Sequence, residues 1–390
     1  MPGGVGGGAG NDPADPKGGF RMKAMALALG GLLMVTAAWA QDREATAASC
    51  SVTDIQAAVD SLPEGGVVRV PAGEAEAVGT IRLTGGIRLV GAGWEQTRLF
   101  RGPGSDPHAG GSVIAADGAN GKPVEIAGLN VVGFLDGETD GWDNGISVRN
   151  ASDFRVHHCR LQRFGASGIS VSGLSRGVVD HCLFVDNFKQ TINNVGYGVV
   201  VMGTGEWRED LVPGSADSVF IEDCEFTGSR HAVASNGGAR YVFRHNWVHG
   251  NDNSQAVDCH GPGYGSAHGT QWVEVYDNVI EKPIGGSTAI MLRGGGGVVF
   301  RNAVRDYVVA LVLTLDFDQK LNWSRPYPIP EQIANMWCWD NTINGKPVGP
   351  IIPPRSANHI QEGRDYFRKP LPGYEPYRYP HPLAGGAEEP

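Results

Sequence analysis

A short pattern that recurs about every 23 residues constrains this 390-residue chain more than any other feature. Each copy is an alternating apolar run, then Cys or Asn, then a second apolar run. The copies read FRVHHCRLQ (154–162), GVVDHCLFV (177–185), VFIEDCEFT (219–227), YVFRHNWVH (241–249), VEVYDNVIE (273–281), VVFRNAVRD (298–306) and MWCWDNTIN (336–344). Their Cys or Asn positions lie 23, 42, 22, 32, 24 and 39 residues apart. The short intervals therefore measure one unit, and the long intervals measure a unit with an insertion.

A second strand-like segment precedes the pattern in most units. It reads GISVRN (145–150), GISVSG (168–173), GVVVMG (198–203), AVASNG (232–237), AVDCHG (256–261) and AIMLRG (289–294). A unit of about three short strands is too small to close a core, whereas units stacked in register can do so. The sequence therefore predicts an all-β parallel β-helix whose successive coils lie about 4.8 Å apart.

The Cys and Asn of successive units fall on one row of this predicted helix. Stacked Asn side chains hydrogen-bond along such a row, and the smaller Cys can occupy the same position. On adjacent coils, Cys159, Cys182 and Cys224 are either buried free thiols or partners in a disulfide, since Cα atoms about 5 Å apart permit either state. The chain contains no CxxC spacing, which does not favour a zinc site.

Composition and the N-terminal residues indicate an exported protein. The 58 Gly and 24 Pro are typical of many tight turns, and the net charge of −10 argues against nucleic acid as a partner. Residues 22–40, MKAMALALGGLLMVTAAWA, have the positive start, short apolar run and A-x-A end of a signal peptide. We therefore expect cleavage after Ala40 and a secreted or periplasmic monomer that does not associate with membranes in its mature form.

Three segments follow from these patterns. Residues 1–40 are the N-terminal extension and signal peptide, residues 41–345 are the β-helix domain, and residues 346–390 are a Pro-rich tail that packs on the helix. Within the domain, TDIQAAVDSL predicts a short amphipathic helix over 53–62 with Thr53 as its N-cap. That helix would cover the N-terminal end of the β-helix, where open strand edges invite association.

The chain resembles the pectate-lyase-like right-handed β-helix superfamily. The resemblance rests on the opening DIQAAVDSLPEGGVVRVPAG followed by IRLVGAGWEQTRL, and on the Cys/Asn row, which resembles the asparagine ladder of that group. The tail IQEGRDYFRKPLPGYEPYRYPHPL is similar to the ending of a group of bacterial β-helix repeat proteins. The resemblance implies a single-stranded, right-handed helix with a polysaccharide groove over the first strand of each coil.

The insertions place a groove on that same face. They fall near 134–144, 186–197, 203–217, 249–255 and 261–270. They all flank the second strand-like segment of a unit, called the GISV-type strand below after its copies at 145–150 and 168–173. Alternation along the strands directs Asp258, His260 and Arg293 outward, whereas Val257, Cys259, Ile290 and Leu292 point into the core. Arg230 and His231 lie at the beginning of another such strand. These five polar residues are predicted to lie on three successive coils.

A basic cluster with one acid suits β-elimination on a uronic acid. Arg or a cation must neutralise the sugar carboxylate, and a base must remove the adjacent C5 proton. We assign His260 or His231 as the base and Arg293 or Arg230 as the carboxylate clamp, with Asp258 orienting the histidine or binding substrate. Further predicted substrate-binding residues are Arg149, Lys189, Asn236, Trp142, Tyr264 and His268. The loop aromatics can either stack on sugar rings or hold their loops in place.

Calcium is a candidate cofactor, because the groove loops carry acidic side chains that suit it. These are Asp136, Glu138, Asp140, Asp143 and Asp252. The sequence does not assign a metal.

Three alternatives to the lyase stay open. An inverting glycoside hydrolase needs a second carboxylate, and the predicted groove floor offers only Asp258. A C5-epimerase would use the same base and clamp. A non-catalytic glycan-binding β-helix protein would present aromatic and polar side chains without a base.

Overall fold

The computed structural model describes residues 43–105, 110–134, 142–188, 195–250, 255–263, 267–316 and 325–385. The predicted signal peptide lies outside these residues. Within them, strands are accompanied by one α-helix, Val52–Asp60, and one short 3-10 helix, Pro354–Ser356. No helix in these ranges is long and apolar enough to cross a bilayer.

The strands form three parallel stacks, to which each coil contributes in turn. The first stack holds the GISV-type strands Ile81–Thr84, Gly111–Asp117, Asp143–Arg149, Ser167–Ser172, Tyr197–Met202, His231–Asn236 and Val257–Cys259. The second stack, which leads into the Cys or Asn row, holds Glu44–Thr46, Gly66–Val70, Ile87–Gly91, Glu125–Ala127, Ser152–His157, Arg176–Asp180, Val219–Glu222, Arg240–Arg244, Trp272–Tyr276, Gly296–Phe300, Met336–Trp339 and Tyr366–Phe367.

The third stack follows the row. It holds Gly73–Glu76, Thr97–Phe100, Asn130–Val132, Arg160–Gln162, Leu183–Val185, Glu225–Thr227, Trp247–His249 and Asn341–Ile343. Two long strands, Val279–Leu292 and Ala303–Leu313, run from the third stack into the first. Lys346–Val348 pairs antiparallel with Asn341–Ile343, whereas the other strand pairs of the described residues are parallel. The predicted right-handed parallel β-helix is therefore confirmed.

The Cys/Asn row is the asparagine ladder expected from the repeat. Asn246 Nδ2 donates to Asn278 Oδ1 at 3.1 Å, Asn278 Nδ2 to Asn302 Oδ1 at 2.9 Å, and Asn302 Nδ2 to Asn341 Oδ1 at 2.9 Å. Each ladder residue follows one with positive φ, as at His245 (55°), so the chain turns sharply there. This stacking holds successive coils in register.

The cysteines of the row are free thiols that bond to backbone. The thiols of Cys159, Cys182 and Cys224 donate to carbonyl oxygens of the preceding coil, at 3.9, 3.6 and 3.6 Å. Burial raises the pKa of Cys159 and Cys182 well above the usual range of a thiol, so both stay protonated. Of the two states left open by the sequence, the structure has the buried thiols.

The helix lies against the first strands, but its N-cap is not the predicted one. Ser51 is the N-cap, and its hydroxyl accepts the Asp54 N–H at 3.1 Å, which places Thr53 inside the first turn. Ile55, Ala58 and Val59 are buried. The prediction of Thr53 was wrong because Ser, one position before the apolar run begins at Val52, competes equally well for the N–H groups of the first turn.

The C-terminal residues cross the outer face of the second stack. The Arg244 guanidinium donates to the carbonyl oxygens of Tyr377 and Arg378 at 2.6 and 2.9 Å, and it pairs with Glu222 at 2.6 Å. Glu222 also accepts the His381 N–H at 2.7 Å. Arg244 and Glu222 are both fully buried, so the tail supplies the extra hydrogen bonds that a buried ion pair requires.

Candidate functional site

The register of the first stack aligns the predicted site residues. A single row of outward positions runs through Arg149, Ser172, Met202, Asn236, His260 and Arg293. Asp258 pairs with Ala234 on one side and Met291 on the other, and the flanking Val257 and Cys259 lie in the core. Alternation along the strands therefore predicted the correct faces.

Asp258 is the centre of the cluster. Its carboxylate accepts from Arg293 Nε at 3.1 Å and from Arg293 Nη2 at 2.5 Å. Its Oδ2 lies 3.2 Å from His260 Nε2 and 3.3 Å from His231 Nε2. One carboxylate thus contacts three cationic or ionisable side chains from three coils, as the sequence predicted.

The cluster is more enclosed than the predicted groove floor. Asp258 is 1% exposed, His231 0% and Arg293 7%, whereas the His260 side chain is 19% exposed. Alternation directs these side chains away from the core, but surrounding structure then covers them. Asp258 and Arg293, predicted to point outward onto a groove floor, are therefore covered, as is His231, and His260 is the most accessible of the four.

Enclosure fixes the charge of Asp258. Burial alone would raise the pKa of this carboxyl, but the Arg293 charge and the adjacent His231 and His260 rings, which can accept the proton in its place, outweigh burial and hold the pKa far below its usual range. Asp258 is therefore ionised at any physiological pH. It cannot serve as a general acid, and it is suited to orienting the basic side chains around it.

His260 accepts a hydrogen bond from Arg293. Arg293 Nη2 lies 2.7 Å from His260 Nε2, and a guanidinium can only donate, so Nε2 is the acceptor of a neutral ring. Burial would lower the pKa of His260, but the neighbouring carboxylates of Asp258 and Asp316 stabilise the charged ring and raise the pKa above the usual value. Because an Nε2–H would oppose Arg293, protonation of the ring requires that guanidinium to shift.

His231 is fixed and fully enclosed. Its Nδ1 lies 2.6 Å from the Gln255 carbonyl oxygen, and its ring stacks on Tyr197 with centroids 5.5 Å apart. Burial lowers its pKa to about 4, with the Asp258 charge opposing, so the ring is neutral at pH 7. The half-buried Arg230 donates to the Tyr197 hydroxyl at 3.3 Å. His231 therefore lacks the access that a base needs, while Arg230 lies at the rim.

Asp316 belongs to the cluster and was missed from the sequence. It is 2% exposed, and its Oδ2 accepts the Gly261 N–H at 2.8 Å and lies 3.6 Å from His260 Nδ1. Its Oδ1 lies 3.5 Å from Arg293 Nη1. The signal was present, because the run VVALVLTLD (308–316) continues the first stack by one more coil. It lacks the flanking glycine that marked the earlier strands.

The remaining predicted contacts separate into distant and structural ones. Arg149 is exposed but four coils from His260, about 19 Å along the axis. Trp142, 56% exposed, precedes the same strand as Arg149. Asn236 is buried, and its Oδ1 accepts the Gly237 N–H at 2.9 Å. His268 joins two loops by contacting Glu331 through Nδ1 and Glu206 through Nε2.

Other predicted residues cannot be placed in the site. Lys189 and Tyr264 lie outside the described residues, as do the calcium candidates Asp136, Glu138, Asp140 and Asp252. Asp143 is buried at the start of its strand and accepts the Gly165 N–H at 2.8 Å. The part of the chain that the structure describes holds no group of three His, Cys, Asp or Glu side chains arranged for a metal ion.

Comparisons with known proteins match the fold. No protein-family model and no curated protein matches the sequence. Among solved structures, the chain is similar to an endo-xylogalacturonan hydrolase from Aspergillus tubingensis, with a TM-score of 0.51 and 12% identity over 83% of this chain and 90% of that chain.

Two further similar structures have lower TM-scores. An alginate lyase from Paenibacillus sp. str. FPU-7 has a TM-score of 0.45 and 12% identity, over 79% of this chain and 97% of that one. ORF18 of Geobacillus virus E2 has a TM-score of 0.45 and 14% identity. That match covers 77% of the present chain, which spans only 56% of the length of the viral protein. At these identities the likeness concerns the fold alone.

Proposed function

We propose that this protein is a pectate-lyase-like enzyme that cleaves a uronic-acid-containing polysaccharide by β-elimination over the first stack. The observation that carries the proposal is the set formed by His260, Asp258 and Arg293 on adjacent coils. It combines a partly exposed imidazole, a permanently ionised carboxylate and a guanidinium within hydrogen-bond reach of each other. Elimination next to a carboxylate needs a base beside a fixed positive charge.

In this proposal His260 is the base and Arg293 and Arg230 bind the sugar carboxylate. The C5 proton passes to His260 Nε2, its electron pair forms the C4=C5 double bond, and the C4–O bond to the leaving sugar breaks. Solvent or His260 then protonates the leaving oxygen. Since Nε2 accepts from Arg293 Nη2, the arriving carboxylate must first attract that guanidinium nitrogen and release the Nε2 lone pair.

The wider setting is proposed from the sequence. Cleavage after Ala40 would export the protein to the periplasm or the medium, where it would act as a monomer on an anionic glycan. Arg149 and Trp142 would contact sugar units several residues from the scissile bond, since one coil, at about 4.8 Å, is close in length to one sugar unit. A metal, calcium included, is not assigned.

A glycoside hydrolase is the second candidate, and one observation favours it. Asp316 brings a second buried carboxylate to His260, which the predicted groove floor lacked. Inverting hydrolysis uses one carboxyl as acid and another as base. The depressed pKa of Asp258 excludes it as the acid, so a hydrolase would need Asp316 in that role and Asp258 as the base, and the side chains that now cover both carboxylates would have to move aside when the glycan binds.

Product analysis distinguishes the two. Mature protein is incubated with a panel of uronate-containing and neutral polysaccharides, and ultraviolet absorbance of unsaturated uronate and the formation of reducing ends are followed together. We expect both signals on a uronate polymer. Reducing ends without the absorbance would replace the lyase with the hydrolase, and retention on a glycan column without either signal would indicate a binding protein.

Variants test the residues. His260→Ala and Arg293→Ala should each lower kcat by on the order of 10²-fold or more. Because Arg293→Ala leaves a buried carboxylate uncompensated, Arg293→Lys is the better-folded companion. Matched controls are His249→Ala and Arg301→Ala, which remove a histidine and an arginine from carboxylate pairs on the other two stacks. Full activity in both His260→Ala and Arg293→Ala would refute this site.

A further inference from the structure

Three contacts link Asp316 to the residues around His260. Its Oδ2 accepts the N–H of Gly261, the residue that directly follows His260, and lies near His260 Nδ1. Its Oδ1 lies near Arg293 Nη1 on the intervening coil. Asp316 itself is buried, so it can reach the glycan only through these neighbours.

Gly261 makes this approach feasible. A Cβ at that position would lie 2.7 Å from the Arg293 carbonyl oxygen and 3.1 Å from Asp316 Cβ. The first distance is shorter than real Cβ contacts allow, so a larger residue would push the three coils apart locally. The glycine therefore lets Asp316 hold the backbone that carries the His260 ring.

The two ring nitrogens of His260 face different partners. Nε2 lies closest to Arg293, at 2.7 Å, and accepts from it, although Asp258 Oδ2 lies 3.2 Å away. The proton of the neutral ring is then on Nδ1, and the carboxylate on that side is Asp316. At 3.6 Å, Asp316 Oδ2 is beyond hydrogen-bond length from Nδ1, so it acts through its charge: a carboxylate beside Nδ1 stabilises the tautomer with the proton on that side.

We propose that Asp316 is a positioning residue that keeps the ring proton of His260 on Nδ1 and so presents Nε2 as the proton acceptor. The inference rests on the proposed function where it concerns catalysis, but the tautomer itself is a property of the protein alone. Within the residues that the structure describes, Asp258, Arg293 and Asp316 place charged groups against His260 from its own strand and from the next two coils.

Nuclear magnetic resonance of protein labelled with ¹⁵N at histidine tests the inference. Wild type should show the Nδ1–H tautomer at His260. Asp316→Ala should shift the ring toward the other tautomer, and the nearly isosteric Asp316→Asn should lower the pH at which His260 titrates, because a negative charge is lost. Glu331→Gln is the matched control, since it removes the carboxylate beside His268 and should leave His260 unchanged.

Kinetics add a second measurement. Asp316→Asn should reduce kcat at least about tenfold with KM little changed, and the acidic limb of the kcat profile should move to lower pH together with the His260 resonance. If His260 keeps its tautomer and its titration in both folded variants, the inference is wrong. If wild type releases no unsaturated sugar but the His260 resonances shift as described, the lyase proposal fails while the positioning role stands.

Discussion

Replacing Asn278 by Ala should destabilise the β-helix more than any single thiol substitution in the same ladder. Asn278 Oδ1 accepts the backbone N–H of Asn246 at 3.0 Å, and its Nδ2 donates to the Phe243 carbonyl oxygen at 2.9 Å and to Asn302 Oδ1 at 2.9 Å. The side chain is 1% exposed, so water cannot replace these bonds.

The magnitude follows from the groups left without their Asn278 partner. The Asn246 N–H and the Phe243 carbonyl each lose that partner, at about 1–3 kcal/mol per buried polar group. Together with the lost bond to Asn302, we expect Asn278→Ala to lower the free energy of unfolding by about 3–5 kcal/mol. Cys182→Ala removes a weakly polar thiol that bonds one carbonyl at 3.6 Å, and it should cost about 1–2 kcal/mol.

Urea unfolding followed by circular dichroism measures both variants, with the m-value checking that the same surface is exposed. Arg305→Ala serves as the control, because that side chain lies outside the ladder and its ion pair with Glu281 is exposed; it should change stability by no more than about 0.5 kcal/mol. If Asn278→Ala costs no more than Cys182→Ala, hydrogen bonding along the ladder does not hold the coils together.

Four more predictions concern the tail, the acid response and the distant contacts. Deleting residues 373–390 should lower the urea midpoint, because the buried ion pair of Arg244 and Glu222 loses the hydrogen bonds that the tail makes with both side chains. Burial lowers the pKa of His381 to about 4, so tail docking should weaken as pH falls from about 6.5 to 4. Proteolysis of the tail should therefore accelerate over that pH range, and His381→Phe should abolish this pH dependence. Bonds to His157 and Arg88 outweigh burial and lower the pKa of Glu125 to about 2, so its stabilisation is complete above about pH 4.5 and disappears toward pH 2; Glu125→Gln should flatten that part of the acid-unfolding curve. Trp142→Ala should raise KM for long glycans without changing kcat.

The repeat by itself determined the architecture. An apolar alternation with one Cys or Asn every 22–24 residues is a local signal, and a unit of that length has no stable way to bury its apolar side other than stacking. The ladder then sets the register, since the Asn278 side chain bonds to the ladder residues at the same place in the coils on either side, Asn246 and Asn302. For this reason the sequence also predicted which coils bring Asp258, His260 and Arg293 together.

Only the tertiary structure decided how these residues are enclosed and paired. Alternation states whether a side chain leaves the core, but not what covers it afterwards, so the burial of Asp258 and His231 was not predictable from their strands. Asp316 entered the site from a coil whose sequence lacks the usual glycine, and the bond of Arg293 to His260 depends on the reach of a long side chain between coils. Such contacts join residues tens of positions apart, and they are determined by side-chain geometry and desolvation rather than by any periodic pattern.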